Sequence, residues 1–434
     1  MENLHHVVLI GGGFGGLLAA QSLKRASVQV TLIDRRNFHL FQPLLYQVAT
    51  GGLSPANIAT PLRGILKRQR NVRVLLDEVI DVDAAGHRVL LRKGDVPYDT
   101  LVVATGAQHH YFGNPQWEAV APALKTIEDA TEIRKRILLA FEEAERESDP
   151  EKIRSRLTFV VVGGGPTGVE LAGALGEIAN DTLKHEFRSI NPADARILLL
   201  EGNDRILPTY PAGLSSDAVR SLAGLGVTVQ TNAVVTGIDE DSVQIRCGNE
   251  ERKIPTRTVL WAAGVAASPL GRKIASATSA SLDRVGRVVV EPDLTIKGHP
   301  EIFVIGDLAN FSHQTGKPLP GVAPVAMQQG RYVAKVIARR LQGKTMPPFV
   351  YRDKGSLATI GRAAAVADFG RVRFSGYFAW LTWLFVHLMY IVEFENRLLV
   401  FVQWAWNYFT QNRAARLITG KDTLPPLRKS GQAQ

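Results

Sequence analysis

Residues 7–10, "VVLI", are apolar at every position. A strand with one wet face would alternate, so this run is expected in the middle of a parallel sheet, covered on both sides. A glycine turn follows, then "LLAAQSLKRA" with helical spacing, then a second apolar run, "VQVTLID" (28–34), that ends on Asp34. The same order returns far downstream. "LTFVVVGGGPTGVELAGAL" (157–175) reads as strand, glycine turn and helix, and "ARILLLEGNDRIL" brings a strand that ends at Glu201. The repeat extends further, because "YDTLVVATGA" (98–107) is answered by "TRTVLWAAGV" (256–265). A whole strand–turn–helix domain is therefore expected twice. Between the copies, "TIEDATEIRKRILLAFEEAERESDPEKIRSR" predicts a charged helix and linker, with the first boundary near 115–155. After about residue 290, "PEIFVIGDLAN" predicts a strand leading into Gly306 and Asp307, where the chain returns to the first domain.

The turns carry the chemistry. Gly11, Gly13 and Gly16 form one G-x-G-x-x-G, and Gly163, Gly165 and Gly168 form the other. The first glycine permits the tight turn, the second lets backbone approach a pyrophosphate, and the third lets helix and strand pack closely. The helix N-terminus then offers unpaired N–H groups and a positive dipole end to the phosphates. Asp34 and Glu201 stand where a carboxylate accepts hydrogen bonds from ribose hydroxyls. A carboxylate at Glu201 would repel a 2′-phosphate, which favours NADH over NADPH, while nearby Arg205 is a cation able to accommodate one. A lone glycine motif is weak, but with strand, helix and terminal acid in register it is strong. Two dinucleotides, one per loop, are expected.

Composition removes other classes. The 434 residues suffice for two or three domains, with 45% hydrophobic and 21% charged residues. The net charge of +10 is compatible with an anionic lipid surface. The densest basic patch, "ILKRQR" (65–70), is short, so nucleic acid is not an expected partner. The single cysteine, Cys247, excludes an internal disulfide or redox pair and accords with a reduced compartment. His109–His110 and the scattered histidines show no metal spacing, and no metal is expected. The first apolar run enters the glycine loop directly and is expected as a strand rather than a secretory leader.

The order of glycine loop, ATG, glycine loop and Gly-Asp resembles the two-dinucleotide flavoprotein superfamily. The closer resemblance, over essentially the whole chain, is to the type II NADH:quinone oxidoreductases, single-subunit respiratory NADH dehydrogenases. It is carried by "FQPLLYQVATG" (41–51), "GGGPTGVELAG" (163–173), "WAAGV" (261–265), "GDLA" (306–309), "APVAMQQG" (323–330), "YRDKGSLATIGR" (351–362) and the aromatic tail. The resemblance implies an α/β protein of two Rossmann-like domains in the glutathione-reductase-like FAD/NAD(P) fold, with a C-terminal amphipathic helical membrane-anchoring region. It implies an FAD-binding domain over 1–118 and 289–345, a helix and linker over 119–155, an NADH-binding domain over 156–288, and a membrane-association and dimerisation region over 346–434.

Gly11, Gly13, Phe14, Gly15, Gly16, Asp34, Arg35, Thr105, Gly106, Gly306, Asp307 and Ala326 would hold FAD, with Pro43, Leu44 and the adjacent Tyr46 passing beside its ring. Gly163, Gly165, Pro166, Thr167, Gly168, Glu201, Ala263 and Gly264 would hold NADH. Glu170 would place the nicotinamide and exchange protons, and Lys354 would stabilise the anionic reduced flavin. The family carries two glutamines four positions apart on one helix face for the quinone; here Gln328 supplies one, and Pro324 stands in place of the other. NADH, a membrane quinone (menaquinone or ubiquinone), an anionic lipid surface and a second copy of the chain are the expected partners. The expected location is peripheral, on the cytoplasmic face of the cell membrane.

The tail supports that reading by itself. "SGYFAWLTWLFVHLMYIV" (375–392) carries no formal charge over 18 positions and is rich in interfacial aromatics, and "LLVFVQWAWNYF" (398–409) precedes Arg413 and Arg416. Two amphipathic helices lying in a membrane surface are expected, against the alternatives of a dimer interface or a spanning hairpin. Sulfide:quinone and disulfide reductases need paired cysteines that the chain lacks. A ferredoxin-type reductase would not need the tail. A redox-sensing flavoprotein of the apoptosis-inducing-factor kind is the rival from another class.

Overall fold

The structure, a computed structural model, describes residues 4–420; the ends of the expected first and last domains lie outside the described residues. The chain forms two compact units, one of residues 4–41, 59–110 and 264–354 and the other of residues 42–58, 111–263 and 355–420. The first unit thus resumes at Gly264, and the second includes both the short 42–58 segment and the C-terminal region.

The first unit is built on a six-stranded sheet ordered Thr295–Ile296, His299–Val304, Thr100–Val103, His5–Ile10, Val28–Asp34 and Val72–Leu76. All neighbours are parallel except the short edge strand. His5–Ile10 lies inside the sheet, and its Val7, Val8 and Leu9 are fully buried, as the unbroken apolar run requires. Each such side chain contributes ~1.5–3 kcal/mol relative to exposure. The helix Phe14–Ser22 packs on the helix Ala323–Arg340. Their approach is so close that a Cβ on Gly330 would lie 2.2 Å from the Gly15 carbonyl oxygen.

The second unit repeats the plan in a four-stranded parallel sheet ordered Val227–Gln230, Arg196–Leu200, Thr158–Val162 and Thr258–Trp261. The charged segment before it forms the helices Ile127–Glu145 and Pro150–Arg156. The first has a capping box, in which Thr126 accepts from the Asp129 N–H and Asp129 accepts from the Thr126 N–H. Cys247 ends the strand Ser242–Cys247 as a half-buried free thiol.

The C-terminal region forms a three-stranded antiparallel sheet, Ser356–Thr359, Ala365–Asp368 and Arg373–Gly376, followed by the helices Tyr377–Tyr390 and Phe394–Thr410. The charges Glu395 and Arg397 fall inside the second helix rather than between the two. Trp383, Val400 and Trp404 face inward, while Phe378, Phe385, Leu398, Val402, Trp406 and Phe409 are exposed. The tail is therefore amphipathic. No helix among the described residues is long and apolar enough to cross a membrane. At 14 residues the first spans roughly 21 Å against a hydrocarbon core of about 30 Å.

Candidate active site

The two glycine loops are built alike, hydrogen bond for hydrogen bond. In the first, Gly11 N–H donates to the Ile33 carbonyl at 2.8 Å and Gly12 N–H to Asp34 Oδ2 at 2.6 Å, while Arg36 N–H donates to Asp34 Oδ1 at 2.7 Å. In the second, Gly163 N–H donates to the Leu200 carbonyl at 2.7 Å and Gly164 N–H to Glu201 Oε2 at 2.6 Å, while Asn203 N–H donates to Glu201 Oε1 at 2.8 Å. Each acid thus pins its own loop; Glu201 Oε1 also accepts from Asn203 Nδ2 at 2.6 Å, and Asp34 and Glu201 Oε2 keep lone pairs for a ribose hydroxyl. Gly11 and Gly163 sit at φ +101° and +109°, where glycine is needed. A Cβ on Gly16 would lie 1.9 Å from the Gly11 carbonyl oxygen, and one on Gly168 would lie 1.8 Å from that of Gly163. Gly13 and Gly165, by contrast, face open space, where a phosphate can approach backbone. The helices that follow have no side-chain cap and no acid in the first turn, so their first N–H groups and positive ends remain available to an anion. Pro166 and Thr167 open the second helix, and both are exposed.

Around the first loop, the buried Thr105 hydroxyl has no protein partner, the kind of orphan a bound group satisfies. Gly106 and Gly306 sit at φ +66° and +72°, and half-buried Asp307 follows Gly306. The Gly306 N–H is held by Gln329 Oε1 at 2.6 Å, and Ala326 packs beneath Gly306. Arg35 is exposed beyond Asp34. These residues fit a dinucleotide with its pyrophosphate at the loop and an alcohol-bearing segment near Asp307.

One contributor was not read from the sequence. His39 is buried, its Nδ1 lies 3.0 Å from the Gly12 carbonyl oxygen, and its ring meets Phe14 edge-on at 5.0 Å. Burial lowers its pKa, so it braces the loop as neutral imidazole. Nothing in "NFHLF" distinguishes it from a surface histidine.

Gln328 and Lys354 also belong to this unit. The Gln328 amide grips the Arg352 backbone at both ends: its Nε2 donates to the Arg352 carbonyl at 2.8 Å, and its Oε1 accepts the Arg352 N–H at 3.0 Å. Lys354 lies two residues on and is exposed. Pro324 falls in the first turn of Ala323–Arg340, where its missing N–H costs nothing.

The second unit gathers a different set. Glu170 is the fifth residue of Pro166–Glu177, one turn beyond the phosphate-facing end. It is half-buried, and burial pushes its carboxyl up to about 8 despite a hydrogen bond from the Thr359 N–H. Tyr46 stands on the short helix Leu45–Ala49, which packs against Pro166–Glu177. Burial and then the Glu170 charge raise the Tyr46 phenol well above its ordinary value, and the same two causes, in that order, raise Tyr210. Pro43 and Leu44 form the turn Gln42–Leu44 just before, with Leu44 fully buried. Ala263 lies against Gly163, and Gly264 begins the stretch returned to the first unit.

Two dinucleotide cradles on two parallel sheets define the class as a two-dinucleotide oxidoreductase. A family model described as pyridine nucleotide-disulphide oxidoreductase matches residues 5–330, and one described as NDH2 C-terminal domain matches residues 354–412. The chain is 48% identical over 427 residues to the type II NADH:quinone oxidoreductase NdhA of Mycobacterium tuberculosis, which covers 96% of this chain and 90% of the relative. A solved structure of NDH2 from Plasmodium falciparum in complex with NADH superposes with a TM-score of 0.86 at 23% identity, over 96% of this chain and 100% of that one. The sulfide:quinone oxidoreductase from Aquifex aeolicus shares the fold at a TM-score of 0.68 and 20% identity, over 94% and 92% of the two chains. The chain belongs to the type II NADH:quinone oxidoreductase family.

Proposed function

We propose that the protein is an FAD-dependent enzyme that oxidises NADH and passes two electrons to a membrane quinone, without pumping protons. The observation that carries this is the doubled cradle, two anion-binding glycine loops each pinned by its own carboxylate, in a chain of this family. The loop at Gly11–Gly16, with Asp34, Thr105 and Asp307, would hold FAD, and Pro43 and Leu44 would border its ring. When bound, FAD accepts a hydride and returns electrons in pairs. The loop at Gly163–Gly168 would hold NADH, where Glu201 disfavours the extra phosphate of NADPH. Glu170, its carboxyl pushed up to about 8 by burial, would keep its proton at neutral pH and would supply one. Lys354 would balance charge on the reduced ring, and Gln328, with one N–H still uncommitted after gripping Arg352, would serve the quinone.

The exposed apolar faces of the two tail helices fit a lipid surface, with a second copy of the chain adding to the same region. The location that goes with this reading is peripheral, on the cytoplasmic face of the cell membrane, beside a substrate dissolved in the bilayer. Steady-state oxidation of NADH and NADPH by the purified protein, with menaquinone and ubiquinone analogues as acceptors, tests the proposal. Quinone-dependent turnover with NADH preferred is expected. No turnover with any quinone, or equal use of NADPH, would overturn it.

A further inference from the structure

The two glycine loops differ in how much of each acid is left for a ligand. A carboxylate offers about four lone pairs, two on each oxygen. Asp34 uses one on the Gly12 N–H and one on the Arg36 N–H, so each of its oxygens keeps one. The Arg36 guanidinium lies over the Phe38 ring at 5.7 Å. Glu201 uses three. The Gly164 N–H takes one on Oε2 at 2.6 Å, and Asn203 takes both on Oε1, through its N–H at 2.8 Å and its Nδ2 at 2.6 Å. One lone pair remains, on Oε2. An adenosine ribose brings two neighbouring hydroxyls, and each needs an acceptor when it leaves water. Asp34 can take both, whereas Glu201 can take one.

Asn203 carries the acceptor that Glu201 lacks. A carboxylate accepts and does not donate, so the amide nitrogen of Asn203 must be the atom that faces Glu201, and that bond fixes which way round the amide sits. The amide oxygen shares a carbon with that nitrogen and so stands in the same turn as the carboxylate. Asn203 is exposed, and its Oδ1 has no hydrogen-bond partner among the described residues. The backbone holds the turn. The Asn232 N–H donates to the Asn203 carbonyl at 2.8 Å, the Glu201 N–H to the Gln230 carbonyl at 2.9 Å, and the Ala233 N–H to the Glu201 carbonyl at 2.9 Å. Residues 201–203 are thus tied at both ends to residues 230–233, and the amide meets a ligand already in place.

We propose that Asn203 is a further NADH-binding residue: its amide nitrogen fixes the Glu201 carboxylate, and its amide oxygen accepts one of the two adenosine-ribose hydroxyls while Glu201 Oε2 accepts the other. This deepens the functional reading above and rests on its assignment of NADH to the second loop. The two acceptors differ in charge, so the two hydroxyls differ in what they contribute. The bond to the carboxylate is the stronger and the bond to the neutral amide the weaker.

The test uses the purified FAD-loaded protein with ferricyanide as acceptor, so that only NADH oxidation is read, and compares NADH with its 2′-deoxyadenosine and 3′-deoxyadenosine analogues. In the wild type one analogue is expected to lose roughly five-fold in kcat/KM, the value of about one neutral hydrogen bond, and the other roughly ten-fold or more, because its acceptor is charged. Asn203→Ala removes the amide and keeps the backbone N–H on Glu201. It should raise the KM for NADH about five-fold with kcat unchanged. The smaller of the two penalties should then vanish while the larger persists. Asn203→Leu, similar in size but without polar atoms, should do the same, with the flavin content and melting temperature of the wild type. Unchanged penalties for both analogues in both variants would overturn the inference. So would an equal loss of both penalties, since Asn203 would then act only by fixing Glu201. A wild type that uses both analogues as well as NADH would instead take the ribose away from Glu201, and with it the assignment of NADH on which the inference rests.

Discussion

Glu170 is the residue on which the proposed proton chemistry turns. Its carboxyl titrates at about 8 instead of 4.5, chiefly through burial. The acid form therefore persists through neutral pH and is lost as the pH rises past 8, so quinone turnover should fall along an alkaline limb centred near there. Glu170→Gln should lower turnover and abolish that limb; an unchanged profile would take Glu170 out of the reaction. The same shift affects stability. Between pH 4.5 and 8 the folded protein holds a proton that the unfolded chain has released, so stability falls as pH rises through this window and is level above it. Glu170→Gln removes this dependence, and its melting temperature should decline less than that of the wild type from pH 5 to 8. Glu170 was legible from "GPTGVE" because its distance from the loop is local geometry. Its elevated titration was not, because the covering groups come from Tyr46, Tyr210 and Thr359.

At the scale of elements, the glycine loops were readable because a tight turn and a close helix–strand approach demand glycine at fixed offsets. The pinning of each loop by its own terminal acid was only half readable: the sequence marked Asp34 and Glu201 for ribose, and the structure adds their grip on the Gly12 and Gly164 amides. The two loops predict a clean dissociation. Gly168→Ala puts a methyl group into the Gly163 carbonyl and should raise the KM for NADH more than ten-fold while flavin stays bound. Gly16→Ala, which clashes likewise with Gly11, should give protein lacking flavin. Equal flavin content in the two variants would contradict the assignment of the loops. The tail's attachment lay beyond the sequence, since Trp404 donates its indole N–H to Gln47 across 357 positions and no local pattern pairs them. The anchor that pairs Arg413 with Glu177 can be weighed. Glu177 is buried and also takes the Arg362 N–H at 2.5 Å, so Arg413→Leu leaves it partly satisfied. A loss toward the lower end of roughly 3–5 kcal/mol is expected, read by denaturant unfolding. A loss under about 0.5 kcal/mol would mean that the pair does not hold the tail.

For the whole molecule, the sequence showed a duplicated domain and an aromatic tail, and both are present. It did not show that residues 42–58 leave the first unit to join the second, because that segment's burial against Ile127–Glu145 and Pro166–Glu177 is a tertiary choice. The tail's outward face carries Phe378 at 75% and Phe409 at 82% exposure, which in water is a liability and at a lipid surface an anchor. Replacing Phe378, Phe385, Trp406 and Phe409 together by serine should release the protein from anionic vesicles in a sedimentation assay while ferricyanide reduction by NADH continues; retained vesicle binding would refute the anchor. The central claim, that one chain passes electrons from NADH through a flavin to a quinone, is met most directly by anaerobic spectroscopy. On adding NADH to the purified protein, the flavin absorbance should bleach, and a menaquinone or ubiquinone analogue should then restore it. A colourless protein that takes up no FAD, or a flavin that NADH bleaches and no quinone reoxidises, would contradict the account.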